Sequence, residues 1–224
     1  MIQSNNISKA TLVLAAVAGY CDTATFVAGD NIFSAHVTGN FITFAYQMVT
    51  GAPLSAWVKL ITFPIFIIAV ITGGRLSLKA ENKNKILLIE AILLLVAGAL
   101  ALVWHLEKDK IFTYIIVMMV VFALGLQNAY GKIFSKEIFG PTTMMTGNVT
   151  QASLDFGALI AGKFTAADAL ASFKKQMTTI FGFLTGCILG AFAAREYGLS
   201  SILLPGLSML VCYFFSAKPQ VTVQ

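Results

Sequence analysis

Six stretches of this chain, at about 10 to 28, 54 to 78, 86 to 104, 111 to 130, 172 to 194 and 198 to 216, are apolar over lengths suited to crossing a bilayer. A transmembrane helix needs roughly 17 to 25 such residues. Backbone inside lipid finds no water to bond, so a spanning chain folds as helices or as a closed barrel. The stretches are continuous and show no alternation at period two, which fits helices and not barrel strands. Composition agrees, with 58% hydrophobic and 11% charged residues among 224, against about 25% charged in a soluble domain. The expected class is all-α, a polytopic membrane helix bundle in the lipid bilayer. Two further apolar stretches, about 38 to 50 and 141 to 161, are harder to place.

Only Lys9 precedes the first span and no small-residue cleavage site follows it, so it reads as a retained helix and not a signal peptide. Cys21, Cys187 and Cys212 fall within predicted spans without metal-ligand spacing and read as small apolar side chains. The net charge of +5 comes from Lys and Arg placed mainly in short loops, a topology signal that gives no support to nucleic-acid binding.

The chain also repeats itself. Thr38-Gly39-Asn40 recurs as Thr146-Gly147-Asn148, an offset of 108 residues. A polar break precedes each triplet, Gly19-Tyr20-Cys21-Asp22 in the first case and Gly125-Leu126-Gln127-Asn128 in the second. Ala69 and Gly73 match Gly186 and Gly190, a small-xxx-small spacing that lets helices approach closely in lipid. Duplication accounts for these matches and divides one membrane domain into repeats at 1–106 and 107–224.

Charge chooses the topology. If all eight apolar stretches cross, seven cations fall on one side and eight on the other, which gives no orientation. If the two Thr-Gly-Asn segments instead enter and leave on one side, only Lys59, Lys108, Lys110 and Arg195 face away from the remaining eleven. That bias predicts six full spans, two re-entrant or short helices, and both termini in the cytoplasm. Three spans per half make the halves inverted, an arrangement that places pathways near the bilayer midplane. Seven or eight full spans is the alternative.

Read as helices, the two segments carry matching polar stripes: Asn40, Thr43 and Gln47 in one, Asn148, Gln151 and Asp155 in the other. Thr and Asn suit helix N-caps, and Gly permits a close turn. A helix N-terminus at depth presents unpaired N–H groups to an anion or a polar solute. The same residues also serve as caps and glue between packed helices. Asp22, about 12 residues or some 18 Å into its span, either lines water and takes up protons or sits at the far headgroup boundary; its counterpart Asn128 is neutral. His36 reads as an interfacial hydrogen-bonding residue, with Met144 at the equivalent place. Glu90 is expected to pair at the surface with the Arg75 to Lys85 cluster, and Lys59 to snorkel outward beside Trp57. Pro64 and Pro205 are expected to kink their spans.

No nucleophile elbow, zinc-binding His pair or phosphate loop occurs, so no enzyme, metal or cofactor is expected. The expected function is a transporter or channel for an unidentified small solute or ion, its pathway lined by Asp22, Thr38, Gly39, Asn40, Thr43, Gln47, Gln127, Asn128, Thr146, Gly147, Asn148, Gln151 and Asp155. The alternative is a scaffold or assembly protein whose polar motifs serve packing, and a homo-oligomer is compatible with either. At Gly19-Tyr20-Cys21-Asp22, Gly125-Leu126-Gln127-Asn128-Ala129 and both triplets, nearly the whole chain resembles the YoaK-like family of small bacterial inner-membrane proteins, classed as a domain of unknown function. The family's Gly-Tyr-x-Asp-Ala motif carries Thr23 here in place of Ala. The resemblance implies a bacterial inner-membrane protein and names no substrate.

Overall fold

The computed structural model describes residues 2–51, 54–78, 83–104, 110–135, 138–143 and 146–216. Among them are eight α-helices and no strand: α1 (Ile2–Ala28), α2 (Gly39–Val49), α3 (Val58–Ser77), α4 (Lys83–Val103), α5 (Lys110–Ile133), α6 (Thr146–Ala161), α7 (Ala167–Tyr197) and α8 (Leu203–Ser216). Five stretches are long and apolar enough to cross a membrane: Ile7–Ala28, Val58–Ser77, Lys85–Val103, Lys110–Ile133 and Ala167–Phe214. The fifth contains α7 and most of α8, separated by a 3-10 turn at Gly198–Ile202 that opens on Gly198 at φ +59°, a left-handed conformation that glycine adopts without strain. The chain is therefore a multi-pass helical membrane protein. At about 1.5 Å per residue, the 11 residues of α2 reach about 16 Å, well short of a hydrocarbon core of about 30 Å.

Small residues decide which helices meet. In α7, Gly182, Gly186 and Gly190 face the backbone of Leu12, Ala16 and Tyr20 of α1, each pair four residues beyond the last, so the two helices run parallel at close range. A Cβ at Gly186 would fall on the Ala16 carbonyl, and one at Gly19 on that of Phe183. The second close pair repeats this design: Gly125 of α5 meets Ala69 and the Phe66 carbonyl of α3, and Gly73 meets Ala129, again in parallel. In lipid, where apolar burial drives little association, this closeness supplies the dispersion contacts that hold helices together. α4 and α8 pack antiparallel, with Gly98 against Leu203 and Gly206 against Leu95.

α1 and α5 also run antiparallel. Leu14 lies beside Gln127, while Asp30, just past the end of α1, accepts from the Tyr114 hydroxyl near the start of α5 at 2.9 Å. α1 closes through Asp30 and Asn31, both at positive φ, a conformation that Asn and Asp tolerate better than most residues. Lys59 donates to the Asp30 carbonyl at 2.6 Å, fixing the start of α3 beside the end of α1.

Two sequence expectations need correction here. Lys59 does not snorkel: it is fully buried, spent on that carbonyl. Glu90 is not a surface partner of the Arg75 to Lys85 cluster, since it is fully buried and neither oxygen has a hydrogen bond. The helix that carries it begins at Lys83, so Glu90 lies two turns inside. Pro64 sits within a continuous α3, while Pro205 occupies the first turn of α8.

Candidate functional site

Asp22 is buried in α1 and held by the loop that precedes the first Thr-Gly-Asn. The Ala35 and His36 N–H groups donate to Oδ1 at 2.6 and 3.1 Å, and His36 Nδ1 lies 2.7 Å from Oδ2. The His36 ring also meets Phe183 of α7 edge-on at 5.4 Å. A carboxylate with two backbone donors and an imidazole is well satisfied away from water. His36, by sequence an interfacial residue, belongs to this site. Nothing in a lone His fourteen residues from its partner announces the pairing, because it depends on the loop folding back.

Asn40 makes the loop fold back. Its side chain is fully buried, accepting from the Phe33 N–H at 2.8 Å and donating to the Phe33 carbonyl at 2.8 Å and to Thr62 Oγ1 at 3.1 Å. One amide thus ties the loop to both α2 and α3. Phe41 against Phe63 and Phe44 against Trp57 set α2 antiparallel to the start of α3, with its N-terminal end inward. Asn40→Ala leaves the Phe33 backbone groups unpaired, a loss of about 1 to 3 kcal/mol; thermal unfolding in detergent checks this, and an unchanged midpoint would contradict it.

Thr38 stands at the N-cap position but makes no side-chain cap bond, and Gly39 begins the helix. Thr43 donates to the Asn40 carbonyl at 3.1 Å, and the half-buried Gln47 has a buried Oε1 without a partner.

The second half builds a related arrangement with neutral groups. Asn128 of α5 donates to Thr143 Oγ1 at 2.8 Å. Thr143 precedes Thr146 by three residues, as Ala35 precedes Thr38. Gln127 is fully buried and donates to Thr142 Oγ1 and the Leu14 carbonyl, both at 2.7 Å, joining this loop to α1. The Phe139 N–H adds a bond to Thr11 of α1 at 3.0 Å. Met144 lies outside the described residues. Thr146, Gly147 and Asn148 form the first turn of α6, with Thr146 and Gly147 exposed and Asn148 half-buried. Gln151 donates to Asp155 Oδ1 at 2.8 Å, while the buried Oδ2 of Asp155 has no partner.

The structure thus joins Asp22 to the loop before the first triplet and Asn128 to the loop before the second. The two polar stripes belong to separate pairings, α2 on α3 and α6 on α7. Among the described residues no group of three His, Cys, Asp or Glu side chains could hold a metal ion. No curated protein and no solved structure matches the chain. Residues 10–215 match the model of a family described as "Protein of unknown function (DUF1275)", and the chain belongs to that family.

Proposed function

We propose that this protein is a small transporter or channel of the bacterial inner membrane, moving a small polar solute or ion between two inverted halves, 1–106 and 107–224. In this reading α1, α3, α4, α5, α7 and α8 cross the membrane, and both termini lie in the cytoplasm. Helix direction supports it. α1 opposes α5, while α3 runs with α5 and α7 with α1. α1 and α3 are then opposed, so the chain between them, with α2, leaves and returns on one face. The same holds for α6 between α5 and α7, on the other face.

The observation that carries the proposal is the matched pair of contacts, Asp22 to Ala35 and His36, and Asn128 to Thr143. Each half closes a polar span residue with the loop leading into a Thr-Gly-Asn helix, a pairing of related contacts that fits two gates between inverted repeats. Asp22, Thr38, Gly39, Asn40, Thr43 and Gln47 form the gate of one side. Gln127, Asn128, Thr146, Gly147, Asn148, Gln151 and Asp155 form that of the other.

The scaffold reading draws on Asn40, whose side chain is wholly spent inside the protein. Flux decides between them: purified protein in vesicles, screened against a panel of ions and small polar solutes, moves at least one faster than protein-free vesicles if it is a transporter. Topology gives a separate test. Single cysteines at 36 to 40 label from outside the cell and those at 140 to 148 from inside; labelling of both from one side would rule out the inverted arrangement.

A further inference from the structure

Glu90 is a buried acid that neither gate uses. It sits two turns into α4 among Ile86, Leu87, Ala91 and Leu94, with no exposed surface and no hydrogen bond to either oxygen. Gln47, Gln127 and Asp155 each leave only one buried oxygen unpaired. An ionised carboxylate in such surroundings costs far more than a neutral one, and an acid within a membrane span marks function by default.

Among the described residues no cation is bonded to it. The register of α4 on α8, Leu95 at Gly206 and Gly98 at Leu203, sets Glu90 opposite the stretch from Met209 to Cys212. The buried face of α5 offers Gln127 and Tyr130 as its polar groups, and the turn after α7 offers Ser201. From α3 the buried cation is Lys59, already bonded to the Asp30 carbonyl. From α1 comes Cys21, whose thiol lies within electrostatic reach of both Glu90 and Asp22.

We propose that Glu90 is a proton-binding site coupled to the transport cycle. A proton arriving from water on one side forms the carboxylic acid. It leaves to water on the other side once α4 moves against α8 and wets the site; one O–H bond forms and breaks, and nothing is oxidised or reduced. α4 and α8 pack with Leu203 seated on Gly98 and Leu95 on Gly206, and packed helices of this kind move against each other by small sliding steps. The inference rests on the transport reading above.

Two measurements on the full-length protein in vesicles test it. Difference infrared spectra across a pH step contain a carboxylic-acid carbonyl band that disappears in Glu90→Gln. With a pH-sensitive dye inside, wild-type vesicles acidify under an imposed membrane potential, Glu90→Gln loses at least tenfold in rate, and Glu90→Asp recovers part of it. Glu90→Leu checks folding independently: it unfolds at a higher temperature than the wild type while losing the flux, whereas a residue retained for packing would lower both. A band that persists unchanged in Glu90→Gln, or equal flux with and without the acid, overturns the assignment and leaves the transport reading standing. Vesicles that move neither protons nor any solute of the panel overturn the transport reading, and the coupling with it.

Discussion

Gly186→Leu prevents the native bundle from forming: in detergent the helices persist by circular dichroism, while the cooperative thermal transition and the single elution peak disappear. A Cβ at this position would occupy the space of the Ala16 carbonyl, which is backbone and cannot swing aside. Gly182 and Gly190 also lie against α1 backbone, where an added Cβ would stand 2.7 and 2.5 Å from a carbonyl oxygen, so α7 cannot rotate to relieve the clash. The two helices must part along several turns, and the dispersion contacts along that length go with them. Ordinary overpacking costs about 1 to 3 kcal/mol where neighbours can adjust; here the expected loss is about 4 kcal/mol or more, in the range that marks a specific mechanism. Gly157→Leu is the control. Gly157 lies in α6 with nothing within 4 Å of its would-be Cβ, and leucine favours a helix by up to about 1 kcal/mol over glycine. If the two variants unfold alike, close approach is not what holds α1 to α7.

That pairing was half visible in the sequence. The spacing of Gly186 and Gly190, and of Ala69 and Gly73, announced close helix contacts but not their partners, because small-xxx-small says only that a neighbour can come near. The partners turn out to be the polar breaks themselves, since Gly19 and Gly125 open the segments that end at Asp22 and Asn128. One short segment thus serves both packing and the site.

Other features were hidden for definable reasons. The break between the last two apolar stretches, at 194 to 198, is legible in the sequence, and the structure turns there at Gly198–Ile202, but the 3-10 form of that turn is not. Glu90 follows a run of charge at Lys83 and Lys85 that by sequence belongs to a loop. Once α4 is seen to begin at Lys83, an acid flanked by Ile86, Leu87, Ala91 and Leu94 has no surface within reach. His36 escaped because its meeting with Asp22 is made by Asn40 bonding Phe33, a contact between residues seven apart that no periodicity predicts.

Asp22→Asn folds, unfolds within a few degrees of the wild type, and carries at least tenfold less flux in vesicles. The substitution keeps an oxygen where Oδ1 now accepts from the Ala35 and His36 N–H groups, so the loop retains its anchor. What it removes is the charge that meets His36 at 2.7 Å, and with it the difference between this gate and the neutral one at Asn128. Charge-assisted bonds are roughly twice as strong as neutral ones, so the balance between a closed and an open loop shifts even though its geometry survives. Asp22→Ala separates anchor from charge. With no acceptor left for two buried N–H groups, the loop opens, and hydrogen exchange at residues 35 and 36 quickens sharply in Asp22→Ala but not in Asp22→Asn. Neither variant disturbs the Glu90 carbonyl band, since no hydrogen bond joins the two acids. Unchanged flux in Asp22→Asn would take the carboxylate out of the pathway and leave it as a loop anchor alone.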